Sequence, residues 1–523
     1  MIGKIKDWPN EGENGMRWTA TNPATNTVIG EAEETLPEAV EGMYTVARRS
    51  FGVWAGLPLS ERIRYLCKLR LTLVEEMNKI VEMIKASTGK TAVEALTTEV
   101  MTVIDSISHI EQRAPLALRT KKVKTPITLM GKSSYIEYKP RGTVLIISPW
   151  NFPFQLSMIP IVEALVGGNT VILKPSEVTP MIGILIEQLF EQAGFPEGVV
   201  QVAHGGKDTG AALIEGQPDY IHFTGSVPTG KIIQTEAAKR LIPTTLELGG
   251  KDPMIVFADA NIERAVQGAL WGAFNNSGQV CMSVERLYVE KSIYAEFMDR
   301  LVQEAGRLKQ GTSLEDDIGS MTFSKQVRVV KEQVEDALNK GAVLAAGKHP
   351  DKWEEGHMFI QPLIITNVDH RMKIMREETF GPVLPIMAFE TEEEALALAN
   401  DSRFGLNASV WTSDIERGKQ AVSRLVTGNA VINDVIITVA NPYLPYGGVK
   451  EGGIGAYHGD VGMQSFCIQT SIMVDKGTKL SEVNWFPYEG KYEAFAELIR
   501  SFWGRKRSWR SFLRAYRRIT AKK

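Results

Sequence analysis

Between Thr143 and Ser226, short runs of β-branched residues alternate with segments that have the length of helices. The runs are TVLIIS, TVILK, VVQVA and YIHFTGS, and IGILIEQLFEQAG is one of the segments between them. This alternation is typical of a doubly wound parallel sheet. It predicts an α/β fold for this part of the chain.

Polar residues and glycines follow three of these predicted strands. In open α/β sheets, ligands bind in the crevice outside the carboxyl ends of the strands. We therefore expect the residues at these strand ends to converge on one crevice. They are Trp150 and Asn151 after the first strand, Lys174 and Glu177 after the second, and Gly225 and Ser226 after the last.

Three further regions flank this pattern in a chain whose 523 residues suit roughly two to four domains. Before about Arg119 the pattern is mostly helical, as in SERIRYLCKLRLTLVEEMNKIVEMIKASTG. KSSYIEYKPR, between Lys132 and Arg141, alternates polar and apolar residues and predicts an exposed strand. From Glu247 to about Tyr446, stretches such as PMIVF and VLPIMAF predict a second α/β region.

The composition is that of an ordinary globular protein, with 44% apolar and 23% charged residues. Cys67, Cys281 and Cys467 lie far apart without a CxxC partner, so neither a disulfide framework nor a metal site is predicted. The N-terminal sequence has no apolar segment of the length that a secretory signal needs. No run of about 18 apolar residues predicts a membrane-spanning helix. These features predict a cytoplasmic protein.

The last part of the chain differs from the rest in charge. From Lys491 to Lys523 it has eleven Lys and Arg residues against two Glu residues. Apolar residues recur there at nearly helical spacing, which is typical of a helix lying in the surface of an anionic membrane. The alternative is a helix docked on its own protein or on a dimer partner, and no nucleic-acid recognition motif accompanies the charge. The apolar positions are Phe495, Leu498, Ile499, Phe502, Trp509, Phe512, Leu513 and Tyr516.

Cys281 lies in FNNSGQVCMSVER, where Gly278 permits close approach of the backbone to a ligand. A cysteine by itself is usually a small core residue. Cys281 differs because it occurs with SPWNFPF, KPSE, FTGSVPTG, TLELGGKDP, EETFGPV and PYGGVKEGGIG in a consistent order. In combination these motifs resemble the aldehyde dehydrogenase superfamily from about Trp18 to Ser471. The ending PYGGVKEGGIGAYHG is most similar to the branch that includes fatty and aromatic aldehyde dehydrogenases.

The resemblance implies a Rossmann-like parallel-sheet cofactor domain, a second α/β catalytic domain and a small β oligomerisation element. A homodimer or homotetramer is expected, with Lys132–Arg141 and Gln464–Val474 as contact elements. We assign residues 1–118 and 143–246 to the dinucleotide-binding domain, 247–446 to the catalytic domain, 119–142 and 456–475 to the oligomerisation element, and 484–523 to a basic amphipathic tail.

Aldehyde oxidation needs a nucleophile that creates a tetrahedral carbon from which hydride can leave. The resemblance implies that Cys281 is this nucleophile and forms a thiohemiacetal and then a thioester. The Asn151 side-chain amide and the Cys281 backbone N–H would hold the oxyanion. Glu247 would activate the water that hydrolyses the thioester, and Lys174 completes the implied catalytic set.

Hydride transfer implies a nicotinamide dinucleotide, whose pyrophosphate is expected at the N-terminus of the helix that Ser226 caps. Glu177 is expected to accept hydrogen bonds from the adenosine ribose. Its charge would repel a 2′-phosphate, which favours NAD and leaves NADP as the alternative. Glu378 and Phe380 resemble the pair that holds the nicotinamide ribose and ring. The expected cofactor-binding residues are Pro149, Trp150, Lys174, Ser176, Glu177, Gly225, Ser226, Leu248, Glu378 and Phe380.

Three other activities are weighed against this interpretation. GSVPTGK nearly fits the phosphate loop of nucleotide triphosphatases, but Ile232 stands where a Ser or Thr hydroxyl would bind magnesium. A CoA-acylating relative would pass the thioester to a thiol, and Glu247 argues against it because that route needs no base there. A catalytically silent protein is disfavoured by the complete set of Cys281, Glu247, Asn151 and Lys174.

The family branch and the tail favour a medium- or long-chain aldehyde as substrate, since apolar aldehydes partition into membranes. The alternative is a small semialdehyde such as succinic semialdehyde, which would need an Arg or Lys in the pocket. A membrane-binding tail would make the cytoplasmic protein peripheral at the membrane surface. Activity should rise from acidic toward mildly alkaline pH, because both Cys281 and Glu247 act in their deprotonated forms.

Overall fold

A computed structural model provides the fold and describes residues 17–354 and 356–520. The segment before Arg17, where the sequence predicts no secretory signal, lies outside the described residues. The last three residues of the basic tail also lie outside them. No helix in the described ranges combines the length and the apolar character that crossing a bilayer requires.

The secondary structure of the described residues consists of helices and of strands in four sheets. The strands are β1 (Arg17–Thr21), β2 (Val28–Glu33), β3 (Lys121–Val123), β4 (Lys132–Pro140), β5 (Thr143–Ile147), β6 (Thr170–Lys174), β7 (Val200–Val202), β8 (Tyr220–Thr224), β9 (Thr244–Glu247), β10 (Asp252–Val256), β11 (Val284–Glu290), β12 (Val343–Ala346), β13 (Leu363–Thr366), β14 (Val383–Phe389), β15 (Ser409–Trp411), β16 (Val431–Ile432), β17 (Gly453–Ile454) and β18 (Cys467–Asp475). The α-helices are α1 (Val40–Gly56), α2 (Leu59–Glu75), α3 (Met77–Thr88), α4 (Ala92–Glu94), α5 (Met101–Ala117), α6 (Gln155–Val166), α7 (Pro180–Gln192), α8 (Lys207–Glu215), α9 (Val227–Ala238), α10 (Ile262–Phe274), α11 (Tyr294–Ala305), α12 (Ser324–Asn339), α13 (Lys373–Arg376), α14 (Glu392–Asn400), α15 (Ile415–Ser423), α16 (Gly459–Ser465), α17 (Tyr492–Trp503) and α18 (Trp509–Thr520).

The predicted alternation forms a six-stranded sheet with the strand order β17-β9-β8-β5-β6-β7. Its strands are parallel except for β17, which runs antiparallel to β9. The β-branched runs suit this position because parallel strands are buried on both faces. Ile147 pairs with Lys174, and Thr224 pairs with Glu247. The carboxyl ends of these strands therefore meet at one edge, and the predicted α/β fold is confirmed.

Side chains of this sheet alternate between two cores. Val144 and Ile146 of β5 belong to the core that α6 closes, whereas Leu145 and Ile147 belong to the core that α8 and α9 close. Because side chains alternate along a strand, register assigns each functional residue to one face. Glu247 points to the α6 face, opposite the face occupied by α8 and α9.

A second sheet has the strand order β12-β13-β14-β11-β10-β15-β16. It is parallel except for β12, which is antiparallel to β13. All of its strands lie after Glu247, in the region where the sequence predicts a second α/β unit. Cys281 lies in the connection between α10 and β11. The strand β17 returns from this later part of the chain to the first sheet, and the domain boundaries given above remain predictions.

Contacts divide the chain into two compact units. The first contains the described chain up to Arg119 together with Glu137–Thr470, and the second contains Thr120–Ile136 with the described chain from Ser471 onward. A separate three-stranded sheet has the order β18-β4-β3, with β18 at its edge. All of the predicted site residues belong to the first unit.

The C-terminal tail forms two helices, so the single helix that its spacing predicts is wrong. The chain leaves the helical conformation at Gly504, where a Cβ atom would lie 2.2 Å from the Arg500 carbonyl oxygen. The two helices pack on each other, and the apolar spacing does not reveal which positions the partner helix covers. The residues buried between them are Ala494, Leu498, Phe512, Ala515 and Ile519.

Candidate active site

The loop that leads to the candidate nucleophile contains three consecutive left-handed residues, Asn276 (φ 49°), Ser277 (φ 55°) and Gly278 (φ 72°). Asparagine and glycine tolerate this conformation better than serine does, and each strained residue costs on the order of 1–3 kcal/mol. A Cβ atom at Gly278 would lie 2.1 Å from the Gly381 carbonyl oxygen. Glu94 accepts a hydrogen bond from the Asn276 N–H at 2.7 Å. These contacts hold the loop in one conformation.

Cys281 follows this loop, and the residue is partly buried. Its Sγ atom lies 3.5 Å from Oη of Tyr446. Burial raises the pKa of the Cys281 thiol to about 12, and the hydrogen bond with Tyr446 acts in the opposite direction. The charges of Glu378, Asp252 and Glu247 add to the rise. Formation of a reactive thiolate therefore depends on the donors around this sulfur.

Glu247 is the last residue of β9, and only 3% of it is exposed. Neither of its carboxylate oxygens has a hydrogen-bond partner within the described chain. Burial raises its pKa well above the usual range. A carboxyl group with a raised pKa is a stronger base once it is ionised, which suits a residue that must take a proton from water.

Asn151 is held in the loop after β5 by a buried ion pair. Its Nδ2 donates to the Gln279 carbonyl oxygen at 3.0 Å, and its own carbonyl oxygen accepts from Lys90 Nζ at 2.9 Å. Lys90 pairs with Glu99 at 2.5 Å, and both side chains are fully buried. The second Glu99 oxygen accepts from the Phe154 N–H at 2.8 Å. The ion pair thus fixes the Asn151 amide beside the segment that carries the nucleophile.

Glu378 and Phe380 lie in the loop before β14. Glu378 accepts a hydrogen bond from the Gly250 N–H at 3.0 Å. Burial raises the Glu378 pKa to about 8, with a further contribution from the charge of Glu285. The Phe380 ring meets the Trp150 ring edge-on, with their centroids 5.4 Å apart. Residues from two distant motifs therefore come together beside the candidate nucleophile.

A cavity of about 230 Å³ lies at the other predicted strand end, between the sheet, α8 and α9. Its walls include Ile147, Ile214 and Ile233. Lys174 also lines it, and its Nζ atom lies 3.4 Å from Glu177 Oε2. Apolar walls with a few polar groups at the margin suit a flat heterocycle such as adenine.

Ser226 caps α9, and its Oγ accepts a hydrogen bond from the N–H three residues later at 3.5 Å. The preceding Gly225 N–H donates to the Glu247 carbonyl oxygen at 3.0 Å, which links this turn to β9. Leu248 packs closely on α9, because a Cβ atom at Gly230 would lie 2.5 Å from its Cδ2. The first turn of α9 therefore offers N–H donors to a diphosphate close to both strand ends.

Two predicted residues have mainly local roles in the structure. Ser176 Oγ accepts from the Val178 N–H at 3.2 Å and stabilises the turn after β6. Pro149 directly precedes Trp150 in the loop after β5.

The sequence analysis missed five residues that position the site. Lys251 pairs with Glu285 at 2.6 Å, and Glu285 accepts backbone hydrogen bonds from the loop before β14. Lys90 and Glu99 form the corresponding buried pair, which hydrogen-bonds to the loop after β5. Charged residues are mostly exposed, so a sequence alone gives no reason to bury these pairs. Tyr446 lies within the PYGGVK motif, and this motif was the sequence signal that could have identified it. The contact between its hydroxyl and the Cys281 sulfur is visible only in the folded structure.

Comparison with known proteins decides the family. The sequence model described as the aldehyde dehydrogenase family matches residues 10–472. This chain belongs to the aldehyde dehydrogenase family. The aldehyde dehydrogenase is 42% identical over 487 residues to a 4,4′-diapolycopene aldehyde oxidase of Methylomonas sp, covering 93% of this chain and 91% of the relative. It is 33% identical over 473 residues to a betaine aldehyde dehydrogenase of Brucella anthropi, covering 89% and 96%.

The fold of this aldehyde dehydrogenase also matches solved structures. The crystal structure of a Mycobacterium tuberculosis aldehyde dehydrogenase complexed with NAD+ has a TM-score of 0.84 and 30% identity, covering 90% of this chain and 97% of that chain. The resemblance carried by the motifs is therefore confirmed, and the family uses NAD(P) to oxidise aldehydes. The cavity beside Lys174, the first turn of α9 and the Trp150–Phe380 pair fit the adenine, diphosphate and nicotinamide parts of this cofactor.

Proposed function

We propose that this aldehyde dehydrogenase oxidises its substrate to a carboxylic acid through a covalent thioester on Cys281. The observation that supports this most strongly is a partly exposed residue, Cys281, beside a buried carboxyl, Glu247, whose charge acts on the sulfur. The reaction needs both groups, because one must attack the aldehyde and the other must activate water. The presence of both Cys281 and Glu247 also argues against a catalytically silent protein.

In the first half of the reaction, the Cys281 thiolate attacks the aldehyde carbon and the carbonyl oxygen becomes an oxyanion. We assign the Asn151 side-chain amide and the Cys281 N–H as the donors to this oxyanion. A bound nicotinamide would supply the acceptor for the hydride of the tetrahedral carbon. The Trp150 and Phe380 rings orient the reacting groups and restrict access of water.

In the second half, Glu247 takes a proton from water while that water attacks the thioester carbonyl. The carbon–sulfur bond breaks, Cys281 leaves as the thiolate, and the acid product is released. Glu247 is then protonated and has to lose this proton before the next turnover. A CoA-acylating enzyme has no such requirement, so the buried base favours hydrolysis.

Two substitutions test this assignment. Cys281→Ser should abolish aldehyde-dependent NADH formation, whereas Cys67→Ser, a change at a cysteine in α2, should leave it unchanged. Glu247→Gln should form about one NADH per active site in a rapid burst and then stop, because the thioester forms but is not hydrolysed. Wild-type turnover by Cys281→Ser would refute the role of Cys281. Full turnover by Glu247→Gln, or a requirement for CoA, would refute the hydrolytic route.

A medium- or long-chain aldehyde is the substrate that we propose. A relative of 42% identity is named for a long polyene aldehyde, and the second unit of this chain exposes many apolar side chains. The alternative, succinic semialdehyde, would need a cationic partner in the pocket. Comparing kcat/KM for decanal and succinic semialdehyde tests the choice, and a preference for the semialdehyde would overturn it.

NAD is the cofactor that we propose in preference to NADP. Glu177, at the end of β6, carries a carboxylate that would repel a 2′-phosphate, and its partner Lys174 is already paired with it at 3.4 Å. Replacing Glu177 by Gln should therefore raise kcat/KM for NADP relative to NAD. An unchanged ratio of kcat/KM for NADP and NAD would mean that residues other than Glu177 determine the cofactor preference.

The C-terminal helices form the surface by which we propose that the protein binds anionic membranes. Arg500 of α17 and the four arginines of α18 lie on the same two helices as exposed aromatic side chains, which is the combination that interfacial helices use. Basic residues attract anionic headgroups, and Trp and Tyr prefer the headgroup level. The exposed apolar residues are Trp485, Phe486, Tyr488, Tyr492, Ile499, Trp503, Trp509 and Leu513.

Flotation with liposomes tests this proposal. The full chain should float with vesicles that contain phosphatidylserine and remain behind with pure phosphatidylcholine. A double variant, Arg510→Glu with Arg514→Glu, should float less, because it reverses two charges of α18 without changing the apolar residues. A chain that ends at Val483 should not float. Equal behaviour of the full and shortened chains would refute membrane binding.

We also propose a cytoplasmic homo-oligomer. The three cysteines are all free, which suits a reducing compartment. The edge strand β18 exposes Ile468, Met473 and Val474, and an apolar edge strand is commonly covered by a partner. Light scattering should give a mass of two or four chains, and Met473→Lys should lower it. A monomer at micromolar concentration would contradict the proposal.

A further inference from the structure

A strip of polar side chains runs across the buried α6 face of the first sheet, behind Glu247. Register pairs His222 of β8 with Thr245 of β9, and Thr224 with Glu247, so these four side chains share one face. Central strands of parallel sheets are normally apolar on both faces. Four polar residues on adjoining positions therefore call for a functional explanation.

Three further polar residues continue this strip toward α6. The Tyr457 ring lies 5.2 Å from the His222 ring, and the His458 ring lies 4.3 Å from the Tyr457 ring. The His458 N–H donates to Glu163 of α6 at 3.0 Å. Gly462 leaves room for this carboxyl, because a Cβ atom there would lie 2.4 Å from Glu163 Oε1. The polar strip therefore extends from Glu247 to Glu163.

Within the described chain, nine polar atoms of this strip have no hydrogen-bond partner, although each residue is at most 7% exposed. Buried polar atoms are almost always hydrogen-bonded, and groups of unpartnered ones are typical of sites that hold internal water. Both ring nitrogens of each histidine are among these atoms, so the strip can connect through water in several directions. The atoms belong to Glu247, Thr224, His222, Tyr457, His458 and Glu163.

The protonation states of the strip suit transfer of a proton without trapping it. Burial lowers the pKa of His222 and of His458 to about 3, so both rings are neutral at neutral pH. A neutral imidazole has one N–H donor and one acceptor nitrogen. Burial raises the pKa of Glu163 to about 8, so this carboxyl also keeps its proton. Every member of the strip can then both donate and accept a hydrogen bond.

We propose that this polar strip, joined by internal water, carries the proton that Glu247 takes from the hydrolytic water away from the active site. The proposal rests on the role of Glu247 given above. In each turnover the water loses one proton to Glu247, and the strip accepts that proton while releasing another at its far end. Beyond His458, His109 of α5 and the Arg113–Asp460 ion pair, 2.7 Å apart, lead to the surface. Glu247 thus returns to its ionised form before the next thioester is hydrolysed.

Tyr457→Phe is the most direct test, because it removes one unpartnered hydroxyl from the middle of the strip. Tyr44→Phe is the matched control, since Tyr44 is equally buried but donates its hydroxyl to the Leu213 carbonyl oxygen at 2.7 Å, in the core on the opposite face of the sheet. Stopped-flow measurement of NADH together with a pH indicator separates hydride transfer from proton release. The NADH burst also counts the correctly folded active sites.

Tyr457→Phe should keep the burst amplitude, slow thioester hydrolysis roughly tenfold or more, and delay proton release relative to NADH. The solvent deuterium isotope effect on steady-state turnover should increase, which a merely structural change would not cause. Tyr44→Phe should behave like the wild type. His222→Phe should repeat the Tyr457→Phe result if the latter variant folds poorly.

Unchanged hydrolysis and proton release in both Tyr457→Phe and His222→Phe would overturn the proposal. Such a result would leave the role of Glu247 intact as long as Glu247→Gln still stops after one burst. If Glu247→Gln turns over freely, then Glu247 is not the base and the proton has a different origin. The two failures are therefore distinguishable.

Discussion

Three carboxyl groups and one hydroxyl donor affect the pKa of the Cys281 thiol. Burial and the carboxyl groups raise the pKa of the thiol, whereas the Tyr446 hydroxyl lowers it. A hydrogen bond to a charged group contributes about 1.5–3 kcal/mol. Of these groups, the Tyr446 hydroxyl is the one that favours the thiolate.

Replacing Tyr446 by Phe should lower the rate at which iodoacetamide alkylates Cys281 at neutral pH by about tenfold, which corresponds to about 1.4 kcal/mol. The midpoint of the alkylation profile should move to higher pH, because the thiolate loses its donor. Tyr65→Phe, a change at a half-buried tyrosine in α2, provides the control. An unchanged profile in Tyr446→Phe would show that the hydroxyl does not stabilise the thiolate.

The pH dependence of turnover follows from two raised pKa values. Cys281 and Glu247 both act in their deprotonated forms, and burial raises the pKa of each. Each rise shifts the active form to higher pH, so kcat should increase from acidic toward alkaline pH. A flat steady-state profile would mean that another step, such as cofactor release, limits the rate.

At the scale of elements, the loop between α10 and β11 is more constrained than its sequence suggests. Gly278 combines a φ of 72° with a facing carbonyl oxygen that would lie 2.1 Å from a Cβ atom. Gly194 has almost the same φ, 75°, but a Cβ atom added there would have no neighbour within 4 Å. Substitutions at the two glycines therefore distinguish two free-energy costs. Both positions share the cost of a left-handed backbone, and only Gly278 adds the cost of a steric clash.

Gly194→Ala should reduce the free energy of unfolding by about 1–2 kcal/mol, the cost of a left-handed alanine. Gly278→Ala should reduce it by more, because the facing backbone must also move, and should lower kcat about 100-fold by displacing Cys281. Thermal unfolding and steady-state kinetics of both variants provide the measurements. Equal effects of the two substitutions would contradict the steric argument.

The strands of the first sheet could be predicted from sequence because buried parallel strands require β-branched runs. The candidate nucleophile and base could be predicted because their motifs are local. The pairs Lys90–Glu99 and Lys251–Glu285 could not, since their burial depends on loops far away in the chain. The tail helices show what apolar spacing cannot predict. Leu498 and Phe512 belong to an apolar pattern that also suits an exposed amphipathic helix, but in the structure each is buried against the other helix.

For the whole molecule, every predicted site residue belongs to the first unit, and the proposed membrane surface belongs to the second. A chain that ends at Val483 should therefore keep its kcat for a short, water-soluble aldehyde. Its rate of oxidation of decanal supplied in phosphatidylserine vesicles should be lower than that of the full chain. Parallel assays with both substrates test this, and an equal loss for both would show that the tail supports catalysis directly.

The pairing of β17 with β9 joins residues that lie some two hundred positions apart in the sequence, as with Gly453 and Glu247. During synthesis, β9 is made long before the strand that covers it. A first sheet that forms during synthesis would therefore have an open edge beside Glu247 while the whole second sheet is translated. That edge of β9 stays unpaired until β17 has been synthesised.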